Sequence, residues 1–217
     1  MSGNSHSPTH WDQRYLSGDA PWNSGLVSRE LVRVLREERI TPCRAFELGC
    51  GTGINAVALA QQGFEVSAAD FSPVAIERAR TQADEAGVAV RFAAADLCRW
   101  EDLRSALGVA GAAVCERRCS FLFDRGCYHC VRRVNLAGFL ETVDWLAAPD
   151  ARLLLLCGNA NEQMEHGPPR VTELEIREQW CRHFEIEWLR EFRFEDRGGV
   201  PGPLGWSCLM ARRRGSR

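Results

Sequence analysis

The sequence predicts a single α/β domain: a doubly wound, mostly parallel, seven-stranded sheet with helices on both faces and a C-terminal antiparallel hairpin. Strand-length apolar runs alternate with helix-length amphipathic segments along the 217 residues, which indicates parallel strands joined by crossover helices. The run Leu153–Cys157 is apolar throughout, as in a strand that is covered on both faces. The Gly- and Pro-rich stretch 198–205 separates the last two strands and predicts the hairpin.

The N-terminal part is expected to be a disordered segment followed by a cap. Residues 1–10 are polar and are predicted to be disordered, so that the folded domain covers 11–217. The cap, 11–40, is predicted to consist of an aromatic loop over 11–25 and a helix at about 27–39. The helix is indicated by apolar residues that share one face: Leu31, Val34 and Leu35.

The remaining elements follow from apolar runs and capping signals. Strands are predicted at about 44–48, 64–69, 89–94, 119–124, 152–157, 185–194 and 206–212. Helices are predicted to begin in a glycine-rich turn after the first strand and to cover about 73–87, 135–147 and 172–183. Ser72 and Pro73 are a typical N-cap and first helical residue, while Thr172 and Glu175 form a capping box. Segment 98–118 is predicted to hold a short helix and a loop.

Composition and charge exclude several classes of partner. The net charge of −2 and the isoelectric point near 6.2 predict no general attraction to nucleic acid or to an anionic membrane. The longest purely apolar run, Leu153–Cys157, is far too short to span a bilayer. Because no apolar signal core precedes the domain, we expect a cytoplasmic protein whose ten cysteines are reduced.

The segment Phe46–Ile54 predicts a ligand site after the first strand. Its three glycines allow a sharp turn and let a ligand approach bare backbone N–H groups. Asp70 follows the second strand, where a carboxylate can bind a pair of ribose hydroxyls. Glu47 would repel a pyrophosphate but suits an amino group and a sulfonium, which favours S-adenosylmethionine (SAM). A nicotinamide dinucleotide is disfavoured, because its fingerprint requires glycine where this chain has Ile54.

The order Glu-x-Gly-x-Gly-x-Gly, Asp70, Asp96 resembles the class I SAM-dependent methyltransferases, a family with a Rossmann-like fold, over roughly residues 25–212. The resemblance implies SAM as cofactor and S-adenosyl-L-homocysteine as product. It places Asp70 on the ribose hydroxyls with Phe71 against the adenine ring, and Asp96 near the adenine amino group with Leu97 beside it. The other cofactor-binding candidates lie in the turn, whose glycines approach the methionine part: Glu47, Leu48, Gly49, Gly51 and Gly53.

Two further segments are similar to the thiopurine S-methyltransferase and thiol/halide methyltransferase group, which includes tellurite-resistance relatives. The first is Trp11-Asp12-x-Arg14-Tyr15 with Gly18-Asp19-x-Pro21-Trp22, and the second is Asp124-Arg125-Gly126 after the fourth strand. The resemblance implies that Trp11 and Arg125 contact the cofactor or the rim of the substrate pocket. Trp22 is the third such candidate. Trp11 and Trp22 are expected either to form a lid over the adenosyl group or an apolar substrate, or to anchor the terminal segment.

Candidate chemistry after the fourth strand centres on His129. It is the candidate catalytic residue, since an imidazole can take a proton from an acceptor, and the alternative is a hydrogen-bonded structural histidine. A zinc site on Cys115, Cys119, Cys127 and Cys130 is disfavoured, because the fourth strand would hold the two pairs apart. No metal is therefore expected. Asp124 joins Glu47, Asp70 and Asp96 among acids at predicted strand ends, and the loop 158–170 is expected to border the acceptor.

The function predicted from these residues is transfer of a methyl group from SAM to a small-molecule acceptor. Sulfur, or a heavier relative, is the expected accepting atom, because soft anions need little proton chemistry and the chain shows no strong acid–base constellation. Two alternatives remain open at this point. One is methylation of oxygen or nitrogen on a small metabolite, and the other is a SAM-binding protein without turnover.

Overall fold

The structure is a computed structural model that describes residues 7–116, 118–165, 167–195 and 201–213. Its strands are β1 Arg44–Leu48, β2 Glu65–Asp70, β3 Val90–Ala94, β4 Cys119–Arg125, β5 Ala147–Asn159, β6 Arg170–Val171, β7 Phe184–Arg193 and β8 Leu204–Arg212. Its helices are α1 Pro8–Ser17, α2 Arg29–Glu37, α3 Ile54–Gln61, α4 Pro73–Glu85, α5 Trp100–Cys115, α6 Tyr128–Leu146 and α7 Glu173–Trp180.

All strands belong to one sheet with the order β3-β2-β1-β4-β5-β8-β7, and the two-residue β6 pairs with β5. Pairing is parallel from β3 to β5 along this order, and β8 is antiparallel to both β5 and β7. The chain order reverses between β1 and β4. In doubly wound sheets, ligands bind outside the carboxyl ends of the strands at such a reversal.

Helices cover both faces of the sheet, each over its own apolar core. One core contains a buried side chain from each of three helices: Leu31 of α2, Leu59 of α3 and Ile76 of α4. The other contains Leu103 of α5, Phe139 of α6 and Trp180 of α7. The mostly parallel, doubly wound architecture with its closing antiparallel strands is confirmed.

Both capping signals are present. The Ser72 hydroxyl accepts a hydrogen bond from the Ala75 N–H at 3.1 Å, at the start of α4. Thr172 and Glu175 form the reciprocal capping box at the start of α7: the Thr172 hydroxyl accepts from the Glu175 N–H, and the Glu175 carboxylate accepts from the Thr172 N–H. Both signals involve residues within one helical turn, so the starts of α4 and α7 could be predicted from the sequence.

The prediction for the N-terminus was wrong from Pro8 onward, where α1 replaces the expected disorder and the first part of the expected loop. Residues 1–6 lie outside the described part. The Ser7 hydroxyl caps α1 by accepting from the His10 N–H. Asp12 accepts hydrogen bonds from the Ser72 hydroxyl and the Val74 N–H, which docks α1 on α4. Local sequence periodicity does not predict this contact, because its partners lie about sixty residues apart in the sequence.

Two helices are longer than predicted. Helix α6 begins at Tyr128, and the predicted start, Asn135, is instead a break with φ −153° inside it. Helix α5 occupies most of segment 98–118, with an interruption at Gly108 (φ 68°). Each helix contains a non-helical residue that interrupts its apolar pattern. For this reason the sequence periodicity predicted only part of each helix.

The sheet has one strand more than the seven predicted, because β6 adds two residues beside β5. Strand β5 also extends beyond the predicted 152–157 at both ends. Of the expected hairpin link 198–205, residues 198–200 lie outside the described part. Among the described residues, no helix combines the length and apolar character that a membrane span requires.

Gly53 controls the packing of α3 against its neighbours. Its φ of 81° lies in the left-handed region. A Cβ at this position would lie 2.8 Å from the Ala79 Cβ and 3.0 Å from the Phe92 ring. Gly53 is therefore required for close contact between the glycine turn, α4 and β3.

We expect Gly53→Ala to lower the free energy of unfolding by about 3 kcal/mol, since it adds overpacking of ~1–3 kcal/mol to backbone strain of ~1–2 kcal/mol. Gly87→Ala is the matched control, because Gly87 also has positive φ (65°) but has nothing within 4 Å of an added Cβ. Urea unfolding should show a clearly smaller loss for the control. Equal losses for the two variants would contradict the packing role of Gly53.

Candidate cofactor and acceptor site

The carboxyl ends of β1, β2 and β4 bring the predicted residues to one side of the sheet. Leu48 of β1 is in register with Ala69 of β2 and with Asp124 of β4. A small cavity of about 50 Å³, open on one side, lies at this edge. It is lined by parts of the cap, the glycine turn and the end of β4: Tyr15, Trp22, Asn23, Ser24, Leu26, Glu47, Gly49, Cys50, Gly51, Thr52, Ile54, Asn55 and Arg125.

Glu47 is a buried carboxylate among the residues that line this cavity. Its Oε1 accepts a hydrogen bond from the Asn55 side-chain amide at 3.2 Å, while Oε2 is buried without a partner among the described residues. Asn55 in turn accepts from the Ser28 N–H at 2.9 Å and so links Glu47 to the start of α2. Burial raises the pKa of Glu47 to about 8. A cationic donor at Oε2 would satisfy the oxygen and favour the charged form.

Gly49 and Gly51 line the cavity and cannot carry side chains. Their φ values are 66° and 53°. A Cβ on Gly49 would lie 2.6 Å from the Cys127 Cβ, and one on Gly51 would lie 2.9 Å from the Tyr15 hydroxyl. Leu48 is buried at the end of β1. Gly53 serves packing and lies outside the cavity lining, and the approach of the three glycines to a ligand stays a prediction.

Asp70 braces the glycine turn. One carboxylate oxygen accepts from the Gly51 N–H at 2.8 Å and the other from the Ser72 N–H at 2.9 Å. Burial raises the pKa of Asp70, against the effect of these hydrogen bonds. The Phe71 N–H is a third backbone donor to this carboxylate, and since a carboxylate offers about four acceptor sites, room remains for a ligand hydroxyl.

The residues predicted to surround adenine lie beyond the β2 and β3 ends and are not part of the cavity lining. Asp70 is in register with Ala94, two residues before Asp96. The Asp96 carboxylate accepts from the Cys98 N–H at 2.8 Å. Leu97 is buried, whereas Phe71 is partly exposed. The structure therefore groups Asp70, Phe71 and Asp96 on the β2–β3 side of Glu47.

Asp124 has a structural explanation that the sequence did not reveal. It is fully buried, and its carboxylate accepts hydrogen bonds from three successive backbone N–H groups: those of Gly126, Cys127 and Tyr128. Burial raises its pKa to about 7, and the three hydrogen bonds act in the opposite direction. Asp124 thus caps α6, and a ligand is not needed to explain this fourth acid.

The aromatic part of the cap covers the glycine turn. The Trp22 indole N–H donates to the Tyr15 hydroxyl at 3.1 Å, and the Trp22 ring meets the Trp11 ring edge to face at 5.4 Å. The Thr52 hydroxyl donates to the Asn23 side chain at 2.9 Å and ties the cap to the turn. Trp22 and Tyr15 line the cavity, while Trp11 stands behind Trp22. Tyr15 belongs to the cap motif but was not singled out from the sequence.

Arg125 joins three parts of the chain at the cavity. Its guanidinium donates to the Trp22 carbonyl at 3.2 Å and pairs with the Glu195 carboxylate, which also accepts from the Arg29 N–H at 3.0 Å. The Arg125 Nε is buried without a partner among the described residues. Glu195 follows β7, and no local sequence signal connects it with this site.

His129 lies between the ends of β4 and β5. It is buried, and its Nδ1 accepts a hydrogen bond from the Gly158 N–H at 3.0 Å. Burial and the positive charges of Arg125 and Arg132 lower its pKa to about 3, so the ring is neutral. The Nδ1 lone pair is engaged. This geometry is that of the hydrogen-bonded alternative and does not support the expected proton-accepting role.

The loop after β5 is braced against the closing strands. The Asn159 and Asn161 side-chain amides both donate to the Glu191 carboxylate, at 3.0 and 2.9 Å. The Glu162 carboxylate accepts from the N–H groups of Met164 and Leu204. Residue 166 lies outside the described part. Within the described ranges, no group of three or more His, Cys, Asp or Glu side chains is arranged to hold a metal ion.

Comparisons with known proteins agree on a methyltransferase family. The model of the thiopurine S-methyltransferase family matches residues 6–196. A 2-heptyl-1-hydroxyquinolin-4(1H)-one methyltransferase of Mycobacteroides abscessus is 23% identical over 186 residues, which cover 84% of this chain and 76% of that protein.

Solved structures show the same fold. One, from work on the conversion of a disulfide bond into a thioacetal group during echinomycin biosynthesis, has a TM-score of 0.77 at 21% identity, covering 97% of this chain and 93% of that one. The Burkholderia thailandensis 1,6-didemethyltoxoflavin-N1-methyltransferase, with bound 1,6-didemethyltoxoflavin and S-adenosylhomocysteine, has a TM-score of 0.68 at 20% identity, covering 94% and 86%.

The raised pKa of Glu47 predicts a pH dependence of stability in the ligand-free protein. Between about pH 4.5 and 8 the folded protein holds the Glu47 proton more tightly than the unfolded chain does. This group therefore lowers stability as pH rises through that window. From pH 6 to pH 8, Glu47→Gln should gain about 1–2 kcal/mol of unfolding free energy relative to the parent protein.

Urea unfolding at both pH values measures this difference. Glu85→Gln, an exposed change at the end of α4, is the control and should follow the parent protein at each pH. If Glu47→Gln and the parent protein lose stability in parallel between the two pH values, Glu47 is not held as a neutral buried acid.

Proposed function

The chain belongs to the thiopurine S-methyltransferase family and is a SAM-dependent methyltransferase, and from this premise we propose that it methylates a small nucleophile through sulfur or a heavier relative of sulfur. The observation that carries the choice of a soft acceptor is the hydrogen bond from the Gly158 N–H to His129 Nδ1. It occupies the lone pair of the candidate base. Thiolates and related soft anions react without a base, since they are already deprotonated near neutral pH.

The residues at the β1 turn fit SAM. We propose that Glu47 Oε2, which has no partner among the described residues, binds the amino group of the cofactor. Gly49 and Gly51 form a turn where a Cβ has no room, so a ligand can approach the backbone closely. Leu48 would support the turn from beneath, and Gly53 would support it through its packing. When bound, SAM supplies a methyl group activated by a sulfonium.

The adenosyl part would extend toward the β2–β3 side. In this proposal Asp70 accepts the ribose hydroxyls through the lone pairs that the turn leaves free, and Phe71 lies against adenine. Asp96 and Leu97 would contact the far edge of the adenine ring. Trp22, with Trp11 behind it, would exclude water from the reacting atoms, and alignment in a dry site is the main task in an in-line displacement.

Arg125 supports an anionic acceptor. Its guanidinium lines the cavity, and its buried Nε lacks a partner among the described residues. A fixed cation beside the acceptor lowers the pKa of a thiol and holds the resulting thiolate. Because the cap and Arg125 already occupy much of this edge, the acceptor is proposed to be a small molecule.

The relatives favour a second candidate, which is methylation of oxygen or nitrogen on a small heteroaromatic ring. One relative is named for 2-heptyl-1-hydroxyquinolin-4(1H)-one, and a structural neighbour is named for N1 of 1,6-didemethyltoxoflavin. Such acceptors also carry an acidic or delocalised site. For the setting of the protein we propose the cytoplasm, since all ten cysteines are free.

Asp70→Ala should weaken SAM binding at least tenfold, about 1.4 kcal/mol, because it removes both the proposed ribose acceptor and the brace on Gly51. Calorimetry with purified protein measures this. Asp84→Ala, an exposed change on α4, is the control and should bind SAM as the parent protein does. An unchanged affinity in Asp70→Ala would refute the placement of the ribose.

An acceptor screen tests the proposed chemistry, with release of S-adenosylhomocysteine as the readout. The panel should contain a thiopurine, a thiophenol, iodide and tellurite, together with a 1-hydroxyquinolin-4-one and an aromatic ring nitrogen acceptor. We expect kcat/KM to be at least ~10-fold higher for a sulfur acceptor than for its oxygen analogue. Turnover confined to oxygen or nitrogen acceptors would reject sulfur and establish the second candidate.

A further inference from the structure

The space next to the proposed cofactor site is bounded by the ends of β4 and β5. The turn after β1 and Asp70 occupy the β1–β2 side, so an acceptor must approach from the β4 side of Glu47. Arg125 ends β4, and His129 stands between the ends of β4 and β5 through its hydrogen bond to Gly158. His129 is 6% exposed.

The bond to Gly158 also fixes the tautomer of the imidazole. An N–H group can donate only to an unprotonated nitrogen, so Nδ1 carries the lone pair and the proton of the neutral ring sits on Nε2. Within the described residues, no group accepts a hydrogen bond from Nε2. This N–H group is therefore available to donate to a ligand.

The chain around the ring brings Nε2 close to the β4 end. Gly126 has φ 99°, and a Cβ there would lie 3.3 Å from both Cε1 and Nε2 of His129. The residue before it, Arg125, lines the cavity and lies close enough to disfavour a positive charge on His129. The His129 donor and the Arg125 guanidinium, which also pairs with Glu195, therefore lie near each other at the β4 end. Asp124, the adjacent acid, is already hydrogen-bonded to three N–H groups.

We propose that His129 binds the methyl acceptor as a hydrogen-bond donor through Nε2–H, and that the acceptor is a conjugated ring with a delocalised negative charge shared between His129 and Arg125. This rests on the proposed function and extends it. Heteroaromatic thiolates, N-oxides and lactam-type anions share this chemistry. The donor holds the atom of the anion that is not methylated, and no proton is transferred during the reaction.

Two substitutions separate the roles that His129 can have. His129→Asn keeps an oxygen near the Nδ1 position for the Gly158 N–H but does not reach the Nε2 position. His129→Gln carries an amide donor to about the Nε2 position. Neither side chain can act as a base at neutral pH. The readouts are kcat and KM with the best acceptor of the screen, the SAM dissociation constant and the thermal unfolding temperature.

If His129 donates, His129→Asn should raise the acceptor KM at least ~10-fold with SAM affinity unchanged, and His129→Gln should recover most of that loss. If His129 were a base, both variants would lose at least ~100-fold in kcat. If it were only structural, His129→Asn would keep the parent KM. Either of the last two results overturns the proposal.

A measurement on the unmodified protein covers the case in which a variant fails to fold. Nitrogen NMR of the histidine rings, with S-adenosylhomocysteine bound, should show His129 protonated on Nε2 and not on Nδ1 from pH 6 to pH 9. The Nε2 proton should shift when a thiopurine anion is added. Protonation on Nδ1, or no shift at saturating thiopurine, would overturn the proposal.

The test of the His129 role does not depend on which atom of the acceptor is methylated. If the screen finds turnover only on oxygen or nitrogen, the sulfur assignment fails, and the His129 variants are then measured with that acceptor. A donor effect there would keep the role of His129 while rejecting sulfur. Normal turnover of thiols with no KM change in His129→Asn would reject the role of His129 alone.

Discussion

Carboxylates that accept backbone N–H groups hold the ligand side of this sheet in shape. Asp70 accepts from Gly51 and Ser72, and Asp124 accepts from the three backbone N–H groups of Gly126, Cys127 and Tyr128 that lead into α6. Burying a carboxylate is costly unless such hydrogen bonds satisfy it. Glu47 differs from both, because one of its buried oxygens has no partner among the described residues. The protein itself supplies hydrogen-bond donors to the carboxylates of Asp70 and Asp124, whereas a cationic ligand would supply the missing donor to Glu47.

Sequence reasoning succeeded where the signal was local. The strand β1, the caps at Ser72 and Thr172 and the glycine turn depend on neighbours within a few residues. It failed for α1, whose docking through Asp12 requires residues sixty positions away, and it started α6 too late because the cap supplied by Asp124 lies before the apolar pattern begins. Strand ends were predictable to within a few residues, which was enough to place the acids at one edge.

The same distinction holds for the site. Glu47, Gly49, Gly51, Trp22 and Arg125 were predicted and do line one cavity. Three contributors were missed: Asn55, which positions Glu47; Glu195, which pairs with Arg125; and Tyr15, which covers Gly51. Each of these residues acts through a contact between segments that are distant in the sequence, and the residue pattern within one segment does not predict such a contact. Arg125 is an example. Its guanidinium, at the end of β4, contacts the Trp22 carbonyl of the cap and the Glu195 carboxylate, two residues beyond β7. Three separate parts of the chain therefore meet on the proposed acceptor side.

The contact between Cys127 and Gly49 has a chemical consequence for an enzyme that handles an alkylating agent. The Cys127 side chain fills the place that a residue at 49 would need, and burial there raises the pKa of its thiol. Burial does the same for Cys50 and raises the pKa of Cys130 to about 12. Because only the thiolate is a good nucleophile, these sulfurs stay unreactive. If SAM binds at the proposed site, burial of these thiols would protect the protein from methylating itself.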